Sequence, residues 1–398
     1  MERVIVVGAG FSGATIARLL AESGKEVIVV DKRDTIGGNA YDYFDRNGIL
    51  VQAYGPHIFH TNDEGVFEFL SKFTEWKEYK HKVLARVRKD KFVPVPFNLT
   101  SLYSLFPVGK AMQIEDALKS EYGEEQKVAI LDLRKSENAV LREFADFVYK
   151  YIFYIYTVKQ WGCKPEQLGG TIMGRVPVKI SNDDGYFNDK YQVMPKKGFA
   201  KLISNILSHP RIKLKLKTDL KKEIALKDGQ IYFGGKVLEG TLIYTGCVDE
   251  LFDYKHGVLP YRSLKFKFET IKKESYQPAA VVNYTTSASY TRITEFTKFT
   301  CEPTDNTVVV KEYAVKHKKG KNIPYYPVTT GKNKVDYAKY EEEAKNYKNL
   351  YLLGRLGTYK YLNMDQAVRN AMDLFAEIEG EEFDLSLISN FSNKNKKI

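Results

Sequence analysis

The sequence predicts an α/β fold in which a parallel sheet is joined by a helical insertion domain and an antiparallel β-sheet domain. Three observations support this fold class. The run VIVV at residues 4–7 suits a strand that is buried on both faces of a sheet. Residues 100–160 repeat apolar side chains at intervals of three and four, as helices do. Between residues 263 and 315 the chain alternates short β-prone segments with turns, which is typical of an antiparallel sheet.

A glycine-rich turn follows the first strand. Gly8 permits the tight turn, Gly10 lets the backbone approach a pyrophosphate, and Gly13 lets the next helix pack against the strand. That helix begins near Phe11 and Ser12, so its N-terminal amides would point at phosphate groups. The pattern predicts a Rossmann-like dinucleotide-binding domain.

The residues after the second strand indicate which dinucleotide binds. The strand at 27–30 ends on Asp31, whose carboxylate suits a ribose hydroxyl, and Lys32 follows it. A glycine pair before Asn39 indicates that the backbone at Gly38 passes close to a flat or anionic ligand, although an ordinary loop would also use turn glycines. This extension resembles the amine-oxidase-like group of FAD proteins, so non-covalent FAD is the expected cofactor.

Composition and charge limit the possible partners. The chain has 398 residues, 43% of them apolar, with 61 Lys and Arg against 50 Asp and Glu and a formal net charge of +11. This balance favours anionic partners, among which a bis-phosphorylated small substrate would fit as well as a polymer, and the mixture of both signs argues against a nucleic-acid-binding arm. Three cysteines without CxxC or a histidine at metal spacing predict reduced thiols and no metal. The chain starts directly on a strand and no apolar run is long enough to span a membrane, so we expect a cytoplasmic protein.

Two histidines share one short segment. Residues 55–61 read GPHIFHT and place His57, Ile58 and His60 beside a proline-fixed turn. Either histidine alone could be a hydrogen-bonded structural residue. The order of glycine-rich turn, glycine pair and GPHIFHT resembles the N-terminal third of the bacterial UDP-galactopyranose mutase family. The resemblance implies that His57 and Ile58 lie against the flavin and that His60 belongs to the catalytic site.

An aromatic cluster ends the helical insertion. Such a cluster is commonly core, and it equally suits stacking on a nucleobase. The segment YTVKQW at 156–161 resembles the mutase segment that packs against the uracil of the substrate. The resemblance implies that Tyr156 and Trp161 bind substrate.

Residues 174–195 are rich in Pro, Gly, Asp and Asn and predict a long loop of the kind that forms active-site lids. An arginine in such a loop could also be an ordinary surface residue without a role in binding. The resemblance implies instead that Arg175 closes on the substrate diphosphate and that Tyr186 contacts the substrate. It also implies that Arg292, in YTRITEF, is the second diphosphate arginine, a role that suits the planar donors of guanidinium.

The segment PYYP at 324–327 matches an active-site tyrosine pair of the family. The resemblance implies that Tyr325 contacts substrate and that Tyr326 is catalytic.

Residues 350–365 predict a buried strand, a Gly-rich turn and a helix whose N-terminus faces that turn. This segment resembles the family closely, which implies that Arg355 and Met364 lie on the cofactor side and that Tyr361 is catalytic. Gly246, at the end of the strand 242–245, resembles the stretch near the adenosine side of FAD.

The expected domain division is discontinuous. The FAD-binding domain would comprise residues 1–80, 198–255 and 335–398. The helical domain would comprise residues 100–165. The β-sheet substrate domain would comprise residues 81–99, 166–197 and 256–334.

Four positions depart from the common family pattern. Asn363 stands where the family reads Asp in YLDM, and His81 stands where Asn is common; both are expected to bind substrate. Val193 replaces a usual glycine, and Phe67 a frequent Trp. These departures leave undecided which sugar the substrate carries.

The resemblance implies a flavin-dependent isomerase that interconverts the pyranose and furanose forms of a nucleotide-diphospho-sugar without net redox, by attack of reduced-flavin N5 on the anomeric carbon. UDP-galactose is the expected substrate, with dTDP-fucose or UDP-N-acetylgalactosamine as alternatives for the same chemistry. An FAD-dependent amine oxidase or desaturase and a non-catalytic nucleotide-sugar-binding module are alternatives of other classes. A homodimer is expected.

Overall fold

The computed structural model describes residues 3–167, 177–300 and 304–388. Its centre is a parallel sheet of five strands, and in chain order their arrangement is 3-2-1-4-5, which is the doubly wound order 3-2-1-4-5-6 without its last strand. From edge to edge, the strands are Ile212–Lys215, Glu26–Val30, Arg3–Val7, Gly240–Tyr244 and Leu350–Leu352. The predicted Rossmann-like core is confirmed.

The first strand lies in the middle of this sheet because both of its faces are apolar. Val4 and Val6 pack in one hydrophobic cluster and Ile5 packs in another on the opposite face, and none of the three is more than 1% exposed. One face is covered by the helices Phe11–Glu22, Phe199–Leu207 and Met364–Glu379. The other is covered by the helix Gly331–Lys345, the short helix Val248–Leu251 and the small antiparallel sheet Ile224–Lys227, Gln230–Phe233 and Lys236–Val237.

The predicted helical region is also present. It consists of Leu99–Leu105, Val108–Tyr122, Ile130–Leu133, Ala139–Val148 and Ile155–Trp161. Between the last two, Tyr149–Tyr154 forms a π-helix, a local widening that often accompanies functional sites.

The second sheet has seven strands and is antiparallel except for one pair. From edge to edge, its strands are Tyr326–Pro327, Tyr261–Ile271, Thr307–Lys316, Arg292–Glu295, Val281–Tyr284, Val83–Arg88 and Lys91–Val95. The exception is the parallel pair formed by Val281–Tyr284 and Val83–Arg88. It arises because a hairpin from early in the chain adds to the edge of a sheet built from later residues.

The expectation of an unbroken loop over residues 174–195 is wrong at its end. Tyr191–Pro195 forms the central strand of a three-stranded sheet, between Phe59–Thr61 and Trp76–Glu78. Val193 and Met194 are buried there, so long-range pairing overrides the loop-like composition. This small sheet joins two segments that the sequence assigned to different domains. Arg175 lies outside the described residues.

Short elements complete the fold. They are the hairpin Asp42–Phe44 with Leu50–Gln52, the pair Lys127–Val128 with Val178–Lys179, the helices Glu64–Ser71, Thr297–Thr300 and Gly354–Gly357, and the single turns Gly38–Ala40, Pro165–Gln167, Leu220–Lys222 and Leu385–Leu387. Among the residues that the structure describes, no helix has the length and apolar character needed to cross a bilayer.

Candidate active site

One cavity opens at the carboxyl ends of the parallel strands, the usual ligand position in such sheets. It collects all but one of the residues predicted to bind the cofactor. These are Gly8, Gly10, Phe11, Ser12, Gly13, Asp31, Lys32, Gly38, Asn39, His57, Gly246, Arg355 and Met364. The exception, Ile58, is a buried core residue next to His57. Two residues predicted to contact substrate, Tyr325 and Asn363, also line this cavity.

The glycines of the first turn serve different purposes. A Cβ on Gly13 would lie 1.9 Å from the carbonyl oxygen of Gly8, so the close packing of helix and strand requires glycine there. Gly10 has φ −88°, which any residue adopts, and the nearest protein atom to its Cβ position is Cα of Gly38 at 3.7 Å. The protein fold therefore does not require glycine at position 10, and the space above it is left for a ligand.

Asp31 organises the loops around the cavity. Its Oδ2 accepts a hydrogen bond from Ala9 N and its Oδ1 accepts one from Arg33 N, both at 2.9 Å. Each carboxylate oxygen can accept a further bond, so Asp31 remains able to bind a hydroxyl.

Arg33 also lines the cavity, and the sequence interpretation missed it. Its guanidinium lies over the ring of Tyr54, with Cζ 4.5 Å from the centroid, and Nη2 donates to Oδ1 of Asn39 at 2.8 Å. Its Nη1 is buried without a hydrogen-bond partner among the described residues, so this donor is suited to a ligand.

His57 presents a hydrogen-bond acceptor to the cavity. Its Nδ1 lies 2.9 Å from the carbonyl oxygen of Gly55, which can only accept, so Nδ1 carries the proton and Nε2 does not. Burial lowers the pKa of His57 to about 4, and the nearby cations Arg355 and Arg292 act in the same direction. The imidazole is therefore neutral at pH 7.

An aromatic group adjoins the cavity. Tyr326 and Tyr361 stack with centroids 5.2 Å apart, and Trp161 lies 5.9 Å from each. The guanidinium of Arg355 lies 5.1 Å from the Tyr326 ring and 4.9 Å from the Tyr361 ring. It also donates to the carbonyl oxygens of Leu362 and Tyr325. Arg355 therefore links the predicted cofactor residues to the predicted substrate residues.

Arg292 lies beside this group in an ion pair with a buried acid. Its Nε is 3.2 Å from Oε1 of Glu312, a side chain that is 2% exposed, but the two do not have hydrogen-bond geometry. Burial is the largest single influence and lowers the pKa of Arg292, but Glu312 and three nearby tyrosines together outweigh it and raise the pKa, so the guanidinium stays charged. Tyr156, Tyr186 and Tyr326 all lie close enough to influence its pKa. The arrangement is a partly buried cation with donors left for an anion.

Glu312 could not be assigned from sequence, although it is an isolated acid in the apolar strand Thr307–Lys316. Its partnership with Arg292 depends on the register that places the two residues opposite each other.

His60 and His81 lie on either side of Phe187. The ring centroid of His60 is 3.6 Å from that of Phe187, and His81 is 5.7 Å from it on a nearly parallel plane. Nδ1 of His60 lies 3.1 Å from Oδ2 of Asp189. The backbone of Tyr186 donates to the carbonyl oxygen of His81 at 2.8 Å. Phe187 and Asp189 therefore contact predicted site residues, and the sequence interpretation gave neither of them a role.

Comparison with known proteins identifies the family. Residues 151–361 match the family model of UDP-galactopyranose mutase, and residues 6–73 match that of an NAD(P)-binding Rossmann-like domain. A probable UDP-galactopyranose mutase of Klebsiella pneumoniae is 36% identical, covering 96% of this chain and 97% of its own. The chain belongs to the UDP-galactopyranose mutase family. The dTDP-fucopyranose mutase of Escherichia coli, a further relative, is 35% identical and covers 94% of this chain and 97% of its own.

Solved structures agree on the fold of the mutase family. A crystal structure of reduced UDP-galactopyranose mutase superposes with a TM-score of 0.74 at 17% identity, covering 100% of this chain and 98% of that one. A putrescine oxidase variant reaches a TM-score of 0.58 at 11% identity, covering 96% and 99%. Oxidase sequences match far less of the chain, since (S)-6-hydroxynicotine oxidase of Paenarthrobacter nicotinovorans covers 24% of it. The oxidase alternative is thus only a distant relationship.

As a member of the mutase family, this chain is a flavin-dependent isomerase of nucleotide sugars, and FAD is its cofactor. The cavity fits FAD on its own geometry. The open space above Gly10 suits the close passage of a pyrophosphate, and the partnerless Nη1 of Arg33 supplies a donor to an anion or hydroxyl. Within residues 3–167, 177–300 and 304–388, no group of three or more metal-ligating side chains occurs.

His81 gives this mutase a testable acid sensitivity. The side chain is 3% exposed, and burial lowers its pKa to about 3, with Arg292 and His60 adding to the effect. Between about pH 6.5 and pH 4 the unfolded chain therefore binds a proton here that the folded chain does not. The free energy of unfolding should fall as pH falls through this window, by about 1.4 kcal/mol per pH unit from this residue.

His81→Asn should remove that contribution, which urea unfolding between pH 7 and pH 4.5 measures as a difference in slope from wild type. His317→Asn is the matched control, because its ring nitrogen is hydrogen-bonded to Asn322 in the loop that follows the strand Thr307–Lys316, away from the His81 cluster. Equal slopes in wild type and His81→Asn would contradict the assignment of a neutral buried imidazole.

Proposed function

We propose that the protein interconverts UDP-galactopyranose and UDP-galactofuranose, or carries out the same ring contraction on a close relative of that sugar nucleotide. One observation carries the proposal: Arg355 joins the FAD cavity to an aromatic group, and the partly buried cation Arg292 lies beside that group. A nucleobase, a diphosphate and a sugar held next to a flavin need these elements in this order.

When bound and reduced, FAD supplies a nucleophilic nitrogen, N5, to the anomeric carbon of the sugar. The residues of the chain bind and orient the rest. Arg292 holds the diphosphate as it leaves, because guanidinium donors aimed at developing negative charge stabilise it strongly in a desolvated site. Arg175 is proposed as the second diphosphate ligand on the strength of the family resemblance.

The tyrosines act as neutral donors in this proposal. Burial raises the pKa of both Tyr156 and Tyr326, so each phenol keeps its proton at pH 7. Tyr326 and Tyr361 would donate to the diphosphate or the sugar, while Tyr156, Tyr186 and Trp161 would enclose the base. His60, held by Asp189, and His81 would border the sugar.

The decisive experiment measures how many substrate molecules are converted for each electron delivered to the flavin. Purified protein is reduced with dithionite under anaerobic conditions and given UDP-galactofuranose, and UDP-galactopyranose is measured by chromatography. We expect many turnovers per flavin without stoichiometric consumption of reductant. One product per two electrons, or consumption of oxygen during turnover, would favour an oxidoreductase instead.

Asn363 is proposed to set the preference for the sugar. It lines the cavity and is the N-cap of the helix Met364–Glu379, where Gln366 Oε1 accepts from its backbone nitrogen at 2.9 Å. The family commonly has a carboxylate here, a stronger acceptor than the amide. A sugar that lacks a hydroxyl or carries an N-acetyl group would therefore compete with galactose, and the similarity to a dTDP-fucopyranose mutase supports this reading.

Asn363→Asp should raise kcat/KM for UDP-galactose relative to dTDP-fucose by about 5- to 100-fold, since an unmatched buried polar group costs about 1–3 kcal/mol. Asp caps a helix as well as Asn does, so the fold is not affected. Asn363→Ser is the control, because it also keeps the cap but adds no charge. A strong preference for UDP-galactose in wild type, unchanged in Asn363→Asp, would refute this role and leave the mutase reaction intact.

The discontinuous domain division, homodimerisation and a cytoplasmic location stay predictions.

A further inference from the structure

The Lys159 ammonium lies among backbone carbonyls of a single connection. Its Nζ donates to the carbonyl oxygen of Tyr284, and to those of Thr286 at 3.2 Å, Ala288 at 3.0 Å and Tyr290 at 3.0 Å. An ammonium has three protons, so four carbonyls already share its whole donor capacity. Lys159 therefore has no donor left for a ligand.

This connection leads directly into the strand that begins with Arg292. Residues 285–291 join the strands Val281–Tyr284 and Arg292–Glu295. At the far end, Thr291 N donates to the carbonyl oxygen of Glu312 at 2.8 Å. The position of Arg292 thus depends on how the connection is folded over Lys159.

Lys159 itself belongs to the helix that carries the aromatic base residues. The helix runs from Ile155 to Trp161, and Lys159 lies between Tyr156 and Trp161 in it. One side chain therefore ties the base residues to the segment that carries Arg292.

A second cation holds the same C-terminal turn of this helix. Arg262 donates from Nε to the carbonyl oxygen of Gln160 at 2.9 Å and from Nη2 to that of Lys159 at 3.2 Å. These carbonyls belong to the last turn, which has no intrahelical partners. Arg262 pairs in register with Tyr326 across the sheet. The helix is thus fastened to both segments that face the diphosphate.

The charge of Lys159 also indicates that this side chain holds the backbone in place. Burial lowers the pKa of Lys159 to about 8, so the ammonium form still predominates at pH 7. Its hydrogen-bond partners are carbonyl dipoles, and a lysine that served only as a positive charge would not need four oriented acceptors.

We propose that Lys159 is a positioning residue that sets the spacing between the base site at Tyr156 and Trp161 and the diphosphate site at Arg292. The proposal rests on the proposed function, because it takes those residues as the two ends of one nucleotide diphosphate. It predicts that replacing Lys159 weakens the binding only of ligands that must contact both the base site and the diphosphate site.

The test uses three probes on the FAD-loaded protein: UDP, uridine and inorganic pyrophosphate. Dissociation constants are measured for wild type and Lys159→Met by competition against a fluorescent UDP derivative. UDP should bind at least about 10-fold more weakly to the variant, while uridine and pyrophosphate, which each occupy one end, should change by less than about 2-fold. KM for the sugar nucleotide should rise with the UDP dissociation constant.

Arg18→Met is the matched control, because Arg18 is also a buried cation that donates to backbone carbonyls, those of Ile206 and Ser208, away from the site. It should lower stability without changing binding of any probe. Should Lys159→Met fail to fold, Lys159→Arg replaces it: the charge is kept in a longer, planar group. We then expect the same pattern with a smaller loss for UDP.

Three results would overturn the proposal. Unchanged UDP binding would show that Lys159 does not set the spacing. An equal loss for pyrophosphate and UDP would indicate a charge effect. Parallel losses for all three probes, with lowered flavin content, would indicate a structural role. A wild type that binds neither UDP nor dTDP would instead refute the proposed function itself.

Discussion

Arg292→Ala should lower kcat by about 10²-fold or more while FAD remains bound. The guanidinium is partly buried, faces the diphosphate site in the proposed function and is not hydrogen-bonded to Glu312 through its Nε, so its removal takes away charge-assisted donors from a leaving group that gains negative charge. FAD should be retained because Arg292 does not line the FAD cavity. Anaerobic turnover under dithionite measures the rate, and the absorbance of released flavin measures retention.

The design must separate catalysis from folding. Arg292→Ala alone leaves Glu312 buried and unpaired, which typically costs about 3–5 kcal/mol of stability. The double variant Arg292→Ala/Glu312→Ala removes both charges, so we expect stability to recover and turnover to stay low. Arg292→Lys keeps the ion pair but loses the planar pair of donors, and an intermediate rate is expected. Near wild-type turnover in the double variant would remove Arg292 from the reaction.

The same ion pair shows what sequence could and could not predict. Arg292 was predictable because a short motif around it resembles a known family. Glu312 was not, because its role is set by strand register between segments twenty residues apart in sequence. A pattern of alternating residues gives the face of a strand but not its partner.

Lys159 and the strand Tyr191–Pro195 show two other reasons why structure could not be predicted from sequence. The carbonyls around Lys159 belong to backbone far along the chain, and backbone groups carry no sequence signal. The strand Tyr191–Pro195 has a loop-like composition, and pairing with Phe59–Thr61 and Trp76–Glu78 determines its conformation instead. Local propensity fails where distant segments decide the structure.

The glycine-rich turn was predictable in full because its requirements are local: a strand, a turn and a helix start within ten residues. The contacts of Gly10 and Gly13 differ in the way that the sequence predicted.

This difference between the two glycines leads to the second prediction with a large effect. Gly10→Ala should leave the folded protein intact but weaken FAD binding by about 10²-fold or more. The backbone at this position already has a conformation that alanine adopts, and the added methyl group would meet only Gly38 at ordinary contact distance.

The loss arises because that methyl group would occupy the space through which the pyrophosphate passes. Holding the phosphates away from the helix start sacrifices charge-assisted hydrogen bonds worth about 1.5–3 kcal/mol each. Without FAD, the stability of Gly10→Ala should equal or exceed that of wild type by up to about 1 kcal/mol, since alanine restricts the unfolded chain. Flavin fluorescence titration gives the affinity, and urea unfolding without added FAD gives the stability.

Gly13→Ala provides the contrast, because its methyl group would clash with the Gly8 carbonyl oxygen at 1.9 Å whether or not a ligand is bound. It should therefore lower the stability of the flavin-free protein as well as FAD affinity. Gly10→Ala protein that stays yellow through extensive dialysis would mean that the pyrophosphate does not pass this turn. Equal destabilisation of the two variants without FAD would mean that the fold, and not the ligand, requires glycine at position 10.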